Sequence, residues 1–248
     1  MNLTDFSSRR SIRKYLDKEV SDDLLSSILE AAMRAPTCGN MQLYSVVITR
    51  SEEGKRALAP AHFNQPMVTG APVVLTICAD YARFTRWCRL SNADPGYDNF
   101  LSFLNAMSDA TIFAQQVVAV AESLGLGTCY LGTVTYNAAM ISKTLDLPDL
   151  CIPVACITIG WPAEEGVETE RLPLAAVAHH EKYRPDSDAD ILEQFKAKDE
   201  YAPNRKFVEE NGKESLAQVF TDIRYPRQMN EDFSATFLAL LREKQFLK

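Results

Sequence analysis

The sequence predicts an α+β domain in which a few apolar strands are enclosed by helices. Three observations carry this expectation. Residues 73–79 (VVLTICA) and 152–159 (IPVACITI) are near-continuous apolar runs, the pattern of strands covered on both faces. Between them, from about residue 99 to 124, apolar residues recur at helical spacing with little charge. With 248 residues, 46% of them hydrophobic, the chain is long enough to bury a sizeable core.

The elements follow in order. Ser21, then Asp22 and Asp23, reads as a helix start: a hydroxyl cap followed by acids on the positive end of the helix dipole. Leu24, Leu25, Ile28, Leu29 and Ala32 continue at helical spacing, and Pro36 and Gly39 end the element. Residues 43–49 (LYSVVIT) are rich in β-branched types and read as a strand, and 52–58 as a short helix. A loop is expected over 62–70. Residues 83–96, polar but with Phe84 and Trp87, read as irregular cover. In the long helix the expected apolar stripe is Leu101, Leu104, Met107, Thr111, Ala114, Val118 and Ala121, and the low charge predicts burial all round. Gly125 and Gly127 end it. Residues 128–134 (TCYLGTV) read as strand-like, Asn137 as the cap of a helix to Leu145, and 152–159 as the last core strand. Past about 187 the composition becomes polar and charged, with helices expected near 188–198, 213–222 and 230–244. The chain thus divides into a 1–185 domain and a 186–248 helical extension. The extension is too polar for a large core of its own and must pack on the body or on a partner subunit.

Bulk properties exclude several function classes. A net charge of −7 argues against nucleic acid, which needs a basic surface. A membrane span needs about 18 successive apolar residues, and none is present. Residues 1–5 (MNLTD) lack the charged-then-apolar pattern of a secretion signal. Cys38, Cys78, Cys88, Cys129, Cys151 and Cys156 form no CxxC pair, and several sit in apolar runs; the expected location is a reducing cytoplasm. His62, His179 and His180 show no metal-ligand spacing.

Four constellations remain as candidate chemistry. Arg9, Arg10, Ser11 and Arg13 bring three guanidiniums and a hydroxyl within five residues, suited to a phosphate; the alternative is a solvated basic terminus. The segment 36–42 (PTCGNMQ) offers a hydroxyl and two amides for a planar heterocycle, or is a helix C-cap around Gly39. Residues 125–133 (GLGTCYLGT) could let backbone approach a ligand closely, or could be a helix end and strand entry. They do not fit GxGxxG and follow a helix, so a Rossmann reading is rejected. Arg171, in Glu170-Arg171-Leu172-Pro173, is a surface residue unless the fold returns it to the first cluster. Neither GxSxG nor HExxH occurs, and Cys38 has no nearby base in sequence, so no protein nucleophile is expected.

Taken in order, RRSIRKY at 9–15, PTCGNMQ at 36–42, ESLGLGTCYLG at 122–132, GWP at 160–162 and ERLP at 170–173 resemble the FMN-dependent nitroreductase family, in particular its larger oxygen-insensitive nitroreductase and flavin reductase branch. The resemblance covers about residues 3–185. It implies a central, mostly antiparallel sheet enclosed by helices and an intertwined homodimer with two FMN sites at the subunit interface. It places Arg9, Arg10, Ser11, Arg13 and Arg171 on the phosphate and ribityl side. Thr37, Cys38, Asn40 and Gln42 fall near the isoalloxazine, from the second subunit. Gln65 stands where an amide meets the ring, and Tyr130, Leu131, Gly132 and Thr133 line it, with a backbone amide at the reactive nitrogen. The implied activity is a ping-pong transfer from NAD(P)H through FMN to nitroaromatics, quinones or flavins, without catalytic protein side chains or metal. A flavin carrier or sensor without robust turnover is the alternative, and an α+β domain without flavin is a third reading. Two positions depart from the branch: Thr169 and Thr135 stand where basic residues are common. Arg205 and Lys206 are candidates for the extra phosphate of NADPH.

Overall fold

The computed structural model describes residues 6–248; residues 1–5, read above for a secretion signal, lie outside the described residues. Two compact units are distinguished, one running up to Val167 and including Phe233–Lys248, the other Glu168–Asp232. The stretch read as a single extension from 186 is therefore divided between them.

In the first unit, α1 (Asp22–Ala32) starts as the sequence implies, with the Ser21 side chain accepting from the Leu24 N–H. It leads to β1 (Tyr44–Thr49), α2 (Glu52–Leu58), α3 (Pro66–Gly70), β2 (Val73–Asp80), α4 (Ala82–Leu90), α5 (Phe100–Ser123), β3 (Gly127–Tyr130), α6 (Ala138–Thr144) and β4 (Cys151–Gly160). The strands form one antiparallel sheet in the order β1-β2-β4-β3. The central strands β2 and β4 are buried along their whole length, which is why they read as continuous apolar runs. Alternation sorts their side chains between two layers. Val73, Leu75, Ile77 and Ala79 pack in the main cluster with α1 and α5. Val74 and Cys156 meet Leu58, Ala61, Val68, Leu131 and Ile141 on the other face.

Several expectations are corrected here. Residues 82–90 are helical rather than irregular. Only Thr85 and Cys88 of that helix are buried, too few apolar positions to print a period. Its Phe84 nevertheless tucks against Tyr81 and Tyr97. The long helix α5 is not buried all round, and its expected stripe holds at Ala114, Val118 and Ala121 but not in its N-terminal half. Leu101, Leu104 and Ile112 are exposed, whereas Phe103, Ala106, Asp109, Ala110, Phe113, Ala114, Val117, Val118 and Ala121 are buried. Alanines dominate the inner face because they let the helix axis approach the sheet closely. The strand after it is also shorter than expected, with residues 132–137 forming turns.

The second unit holds α7 (Asp188–Glu200), α8 (Ala202–Glu210) and α9 (Leu216–Gln218), which continues as a π-helical turn over Val219–Arg224. Ser187 and Asp190 form a reciprocal capping box at the start of α7. Helix α8, not anticipated, begins with proline in its first turn. The last helix, α10 (Arg227–Glu243), brings Leu240 and Leu241, and beyond it Phe246, into the main core of the first unit.

Candidate active site

Residues 9–16 form an extended strap across the β3–β4 end of the sheet. Its backbone is tied down repeatedly: Ile12 N–H donates to the Thr128 carbonyl (2.9 Å), Leu16 N–H to Trp161 (2.9 Å), and Ala163 N–H to the Lys14 carbonyl (3.0 Å). Ser11 bridges Val167, and Tyr15 bridges Pro162. The Glu164 carboxylate accepts from the Arg13 and Lys14 N–H groups. The Tyr15 hydroxyl donates to the Ile12 carbonyl at 2.7 Å and meets the Thr158 hydroxyl, and burial raises its pKa far above the usual tyrosine value. Glycines make this contact possible. A methyl at Gly127 would lie 2.7 Å from the Ile12 Cβ, and one at Gly166, whose φ is +73°, would lie 3.0 Å from the Ser11 carbonyl oxygen.

The strap's basic groups are not equivalent. Arg9 is half-buried, ion-paired with Glu122 at 3.2 Å and within 3.4 Å of the Thr128 hydroxyl, which itself donates to Glu122. Burial raises the Glu122 carboxyl, while Thr128 and Arg9 act to lower it. Arg9 thus neutralises a half-buried carboxylate before any ligand is considered. Arg13 has an exposed side chain; burial raises Tyr15 and Cys129, and the Arg13 charge offsets part of that rise. A cleft of about 620 Å³ opens here, lined by Ser8, Arg9, Arg10, Glu122, Gly125 and Glu165 among others.

Thr37–Gln42 forms a tight 3-10 turn in which Gly39, Asn40 and Gln42 all have φ near +55° (54°, 56° and 54°). The left-handed region costs a non-glycine residue on the order of 1 kcal/mol or more, so the turn needs an external hold. Asp109, buried on α5, provides it. Its carboxylate accepts from the Thr37 hydroxyl, from the Cys38 N–H at 2.8 Å and from the Leu43 N–H at 3.2 Å. The Thr37 oxygen accepts in turn from the Gln42 N–H at 2.9 Å. Outside, the Arg83 guanidinium donates to the carbonyls of Gln42 (3.1 Å) and Tyr44 (2.7 Å). Cys38 is exposed and the other five cysteines are buried, consistent with their apolar surroundings.

A third segment pairs two other predicted regions. His62 is fully buried, with Nδ1 2.8 Å from the Thr133 hydroxyl and Nε2 without a hydrogen-bond partner among the described residues. Burial lowers its pKa to about 4. Asn137 Nδ2 donates to the Ala61 carbonyl at 2.8 Å. These bonds join the segment ending in Gln65, which follows two left-handed residues (Phe63, Asn64), to the Gly132–Thr133 turn. Tyr130 is partly exposed; Leu131 is buried, with its N–H committed to the Cys156 carbonyl, while Gly132 is exposed. Arg171 lies in the second unit, where its guanidinium donates to the carbonyl and hydroxyl of Thr169 and to the Glu170 carbonyl.

Sequence reading did not single out Asp109, Glu122 or His62. Asp109 had a signal: a carboxylate between Ala106 and Ala110 on a nearly uncharged helix. No cluster of three or more His, Cys, Asp or Glu able to hold a metal occurs among the described residues, and no described helix is long and apolar enough to cross a membrane.

The profile of the nitroreductase family matches residues 6–161. The FMN reductase [NAD(P)H] of Bacillus subtilis (strain 168) is 32% identical over 245 residues, covering 93% of this chain and 94% of the relative. A solved protein of Bacteroides fragilis NCTC 9343 superposes with a TM-score of 0.98 at 48% identity, over 99% of this chain and 100% of that one. The NADPH:FMN oxidoreductase of Vibrio harveyi, solved in complex with NAD+, gives a TM-score of 0.75 at 26% identity, over 88% and 94% of the two chains.

Proposed function

The chain belongs to the nitroreductase family, and from that premise we propose that it binds FMN at the arginine strap and transfers electrons from NAD(P)H to a small-molecule acceptor. It is an NAD(P)H-dependent flavin oxidoreductase; the acceptor class proposed is nitroaromatics, quinones or flavins. The observation that carries this reading is the convergence at one sheet edge. Main-chain bonds fix the strap beside Thr128, where the strand that leads into the Tyr130–Thr133 turn begins.

The residues fit the group. Ser11, Arg10 and the exposed Arg13 offer the donors a phosphate ester needs, and Arg9 is held in place by Glu122 as their neighbour. Thr37, Cys38, Asn40, Gln42 and Gln65 present amide and hydroxyl groups for a polar ring system, with the 37–42 loop supplied by the second copy of a homodimer. Leu131 has spent its N–H on the sheet, so the backbone amides available to the ring belong to Gly132 and Thr133. FMN held there would supply the redox chemistry between NAD(P)H and the acceptor, in two half-reactions. The protein binds and orients, which accounts for the absence of a nucleophile or acid–base pair in the motifs.

The test is direct. Purified protein is expected to carry the yellow absorption of FMN and to oxidise NAD(P)H with nitrofurazone or menadione as acceptor. Stoichiometric FMN without turnover would make it a carrier or sensor, and a colourless protein that refuses added FMN would overturn the reading.

A further inference from the structure

We infer that Asp109 is a positioning residue for the cofactor site, holding the Thr37–Gln42 loop in the conformation that presents Asn40 and Gln42. This rests on the flavin reading above. The loop has three left-handed residues in four positions, two of them not glycine, and short-range sequence provides no reason for the chain to stay there. Besides its own two turn bonds (Asn40 N–H to the Thr37 carbonyl, Met41 N–H to the Cys38 carbonyl) and the Arg83 contact to the Gln42 carbonyl, the bonds that tie it to the core lead to one carboxylate. Cys38 N–H and Leu43 N–H donate to Asp109 directly, and Gln42 N–H reaches it through the Thr37 hydroxyl, which donates to Asp109 while accepting from Gln42. Thus both ends and the third left-handed residue hang on the same group. One helical turn further along α5, Phe113 stacks on Tyr44 at 4.3 Å, fixing the strand that leaves the loop. The same face of one helix therefore sets both the loop and its exit.

Asp109 is buried, and its partners among the described residues are hydrogen-bond donors rather than a cation. A carboxylate supplied with three donors is the arrangement that stabilises buried charge without a salt bridge. Asparagine at this position keeps the shape but turns one acceptor into a donor facing an N–H or hydroxyl. The geometry thus separates charge and acceptor count from packing.

The experiment uses the full-length protein and three variants: Asp109→Asn, Thr37→Val and Thr37→Ser. Hydrogen exchange of the amides of residues 38–43 is read without FMN, and FMN affinity, the visible circular dichroism of bound FMN, and kcat and KM are read with it. Asp109→Asn is expected to speed exchange in this segment by about tenfold or more while leaving β2 and β4 protected, and to weaken FMN binding by a similar factor. Thr37→Val, which keeps Asp109, is expected to act in the same direction, and Thr37→Ser to restore both readings; these two decide the matter should Asp109→Asn not fold. Unchanged exchange would overturn the inference. So would faster exchange with FMN affinity, dichroism, kcat and KM all unchanged, which would make Asp109 purely structural. Failure of the flavin reading itself would appear separately, as wild-type protein that binds no FMN.

Discussion

The arginine strap and the Thr37–Gln42 loop are both irregular segments that the chain holds against its sheet and central helix, but they are held in opposite ways. The strap is fastened by many main-chain bonds spread from Ser11 to Leu16, with Gly127 and Gly166 making room for Ile12 and Ser11. The loop stores left-handed backbone and is fastened to the core through one buried carboxylate, with Arg83 holding the Gln42 carbonyl from outside. Distributed fastening tolerates the loss of any one side chain and leaves side chains such as Arg13 free for a ligand. Concentrated fastening gives a more exactly shaped surface that depends chiefly on one residue.

The sharpest way to break this contrast is Asp109→Ala. It leaves two N–H groups and a hydroxyl without their acceptor, and the expected loss of stability is about 4 kcal/mol by urea denaturation. A loss no larger than that of a strap side chain would erase the distinction.

A second test concerns the brace between the Gln65 segment and the Gly132–Thr133 turn. His62 has an ordinary value of 6.5 when unfolded and about 4 when folded, so the native state binds fewer protons. The stability it confers is full above about pH 6.5 and is lost as the pH falls through 4, amounting to about 3 kcal/mol. Denaturation midpoints measured across this range are expected to fall steeply in wild type and to be flatter by that amount in His62→Gln.

The strap should break through room rather than through donors. Gly127→Ala forces a methyl onto Ile12 and is expected to cost about 2 kcal/mol, with a matching fall in thermal midpoint. Arg13→Ala is the mildest for the fold, expected to change stability by less than about 0.5 kcal/mol, yet to weaken FMN binding by about 2 kcal/mol in a fluorescence titration.

The difference between the two segments also explains what could be read from sequence. The strap announces itself locally, as a run of arginines, but the role of the glycines that accommodate it, at 127 and 166, appears only in the fold. The central strands were legible because burial on both faces writes an unbroken apolar run. Helix α4 was not, because it hides only Thr85 and Cys88. The loop could be located from Pro36 and Gly39, but its cause could not. Thr37 and Asp109 are 72 residues apart, and a single acidic residue on an alanine-rich helix carries no address for its partner. The same holds for Arg9 with Glu122 and for His62 with Thr133, where the pairing exists only once the sheet has formed. The stripe on α5 holds at Ala114, Val118 and Ala121 and fails at Leu101 and Leu104, where large leucines read as inward but face outward.

The central claim is that the strap carries the phosphate of a bound FMN. A crystal structure of the protein with FMN tests it most directly. The account predicts phosphate oxygens within hydrogen-bonding distance of the Ser11 hydroxyl and the Arg13 guanidinium, with the ring beside the Tyr130–Thr133 turn. A phosphate seated away from residues 9–13, with Arg9 still closed on Glu122 and Arg13 in solvent, would contradict it.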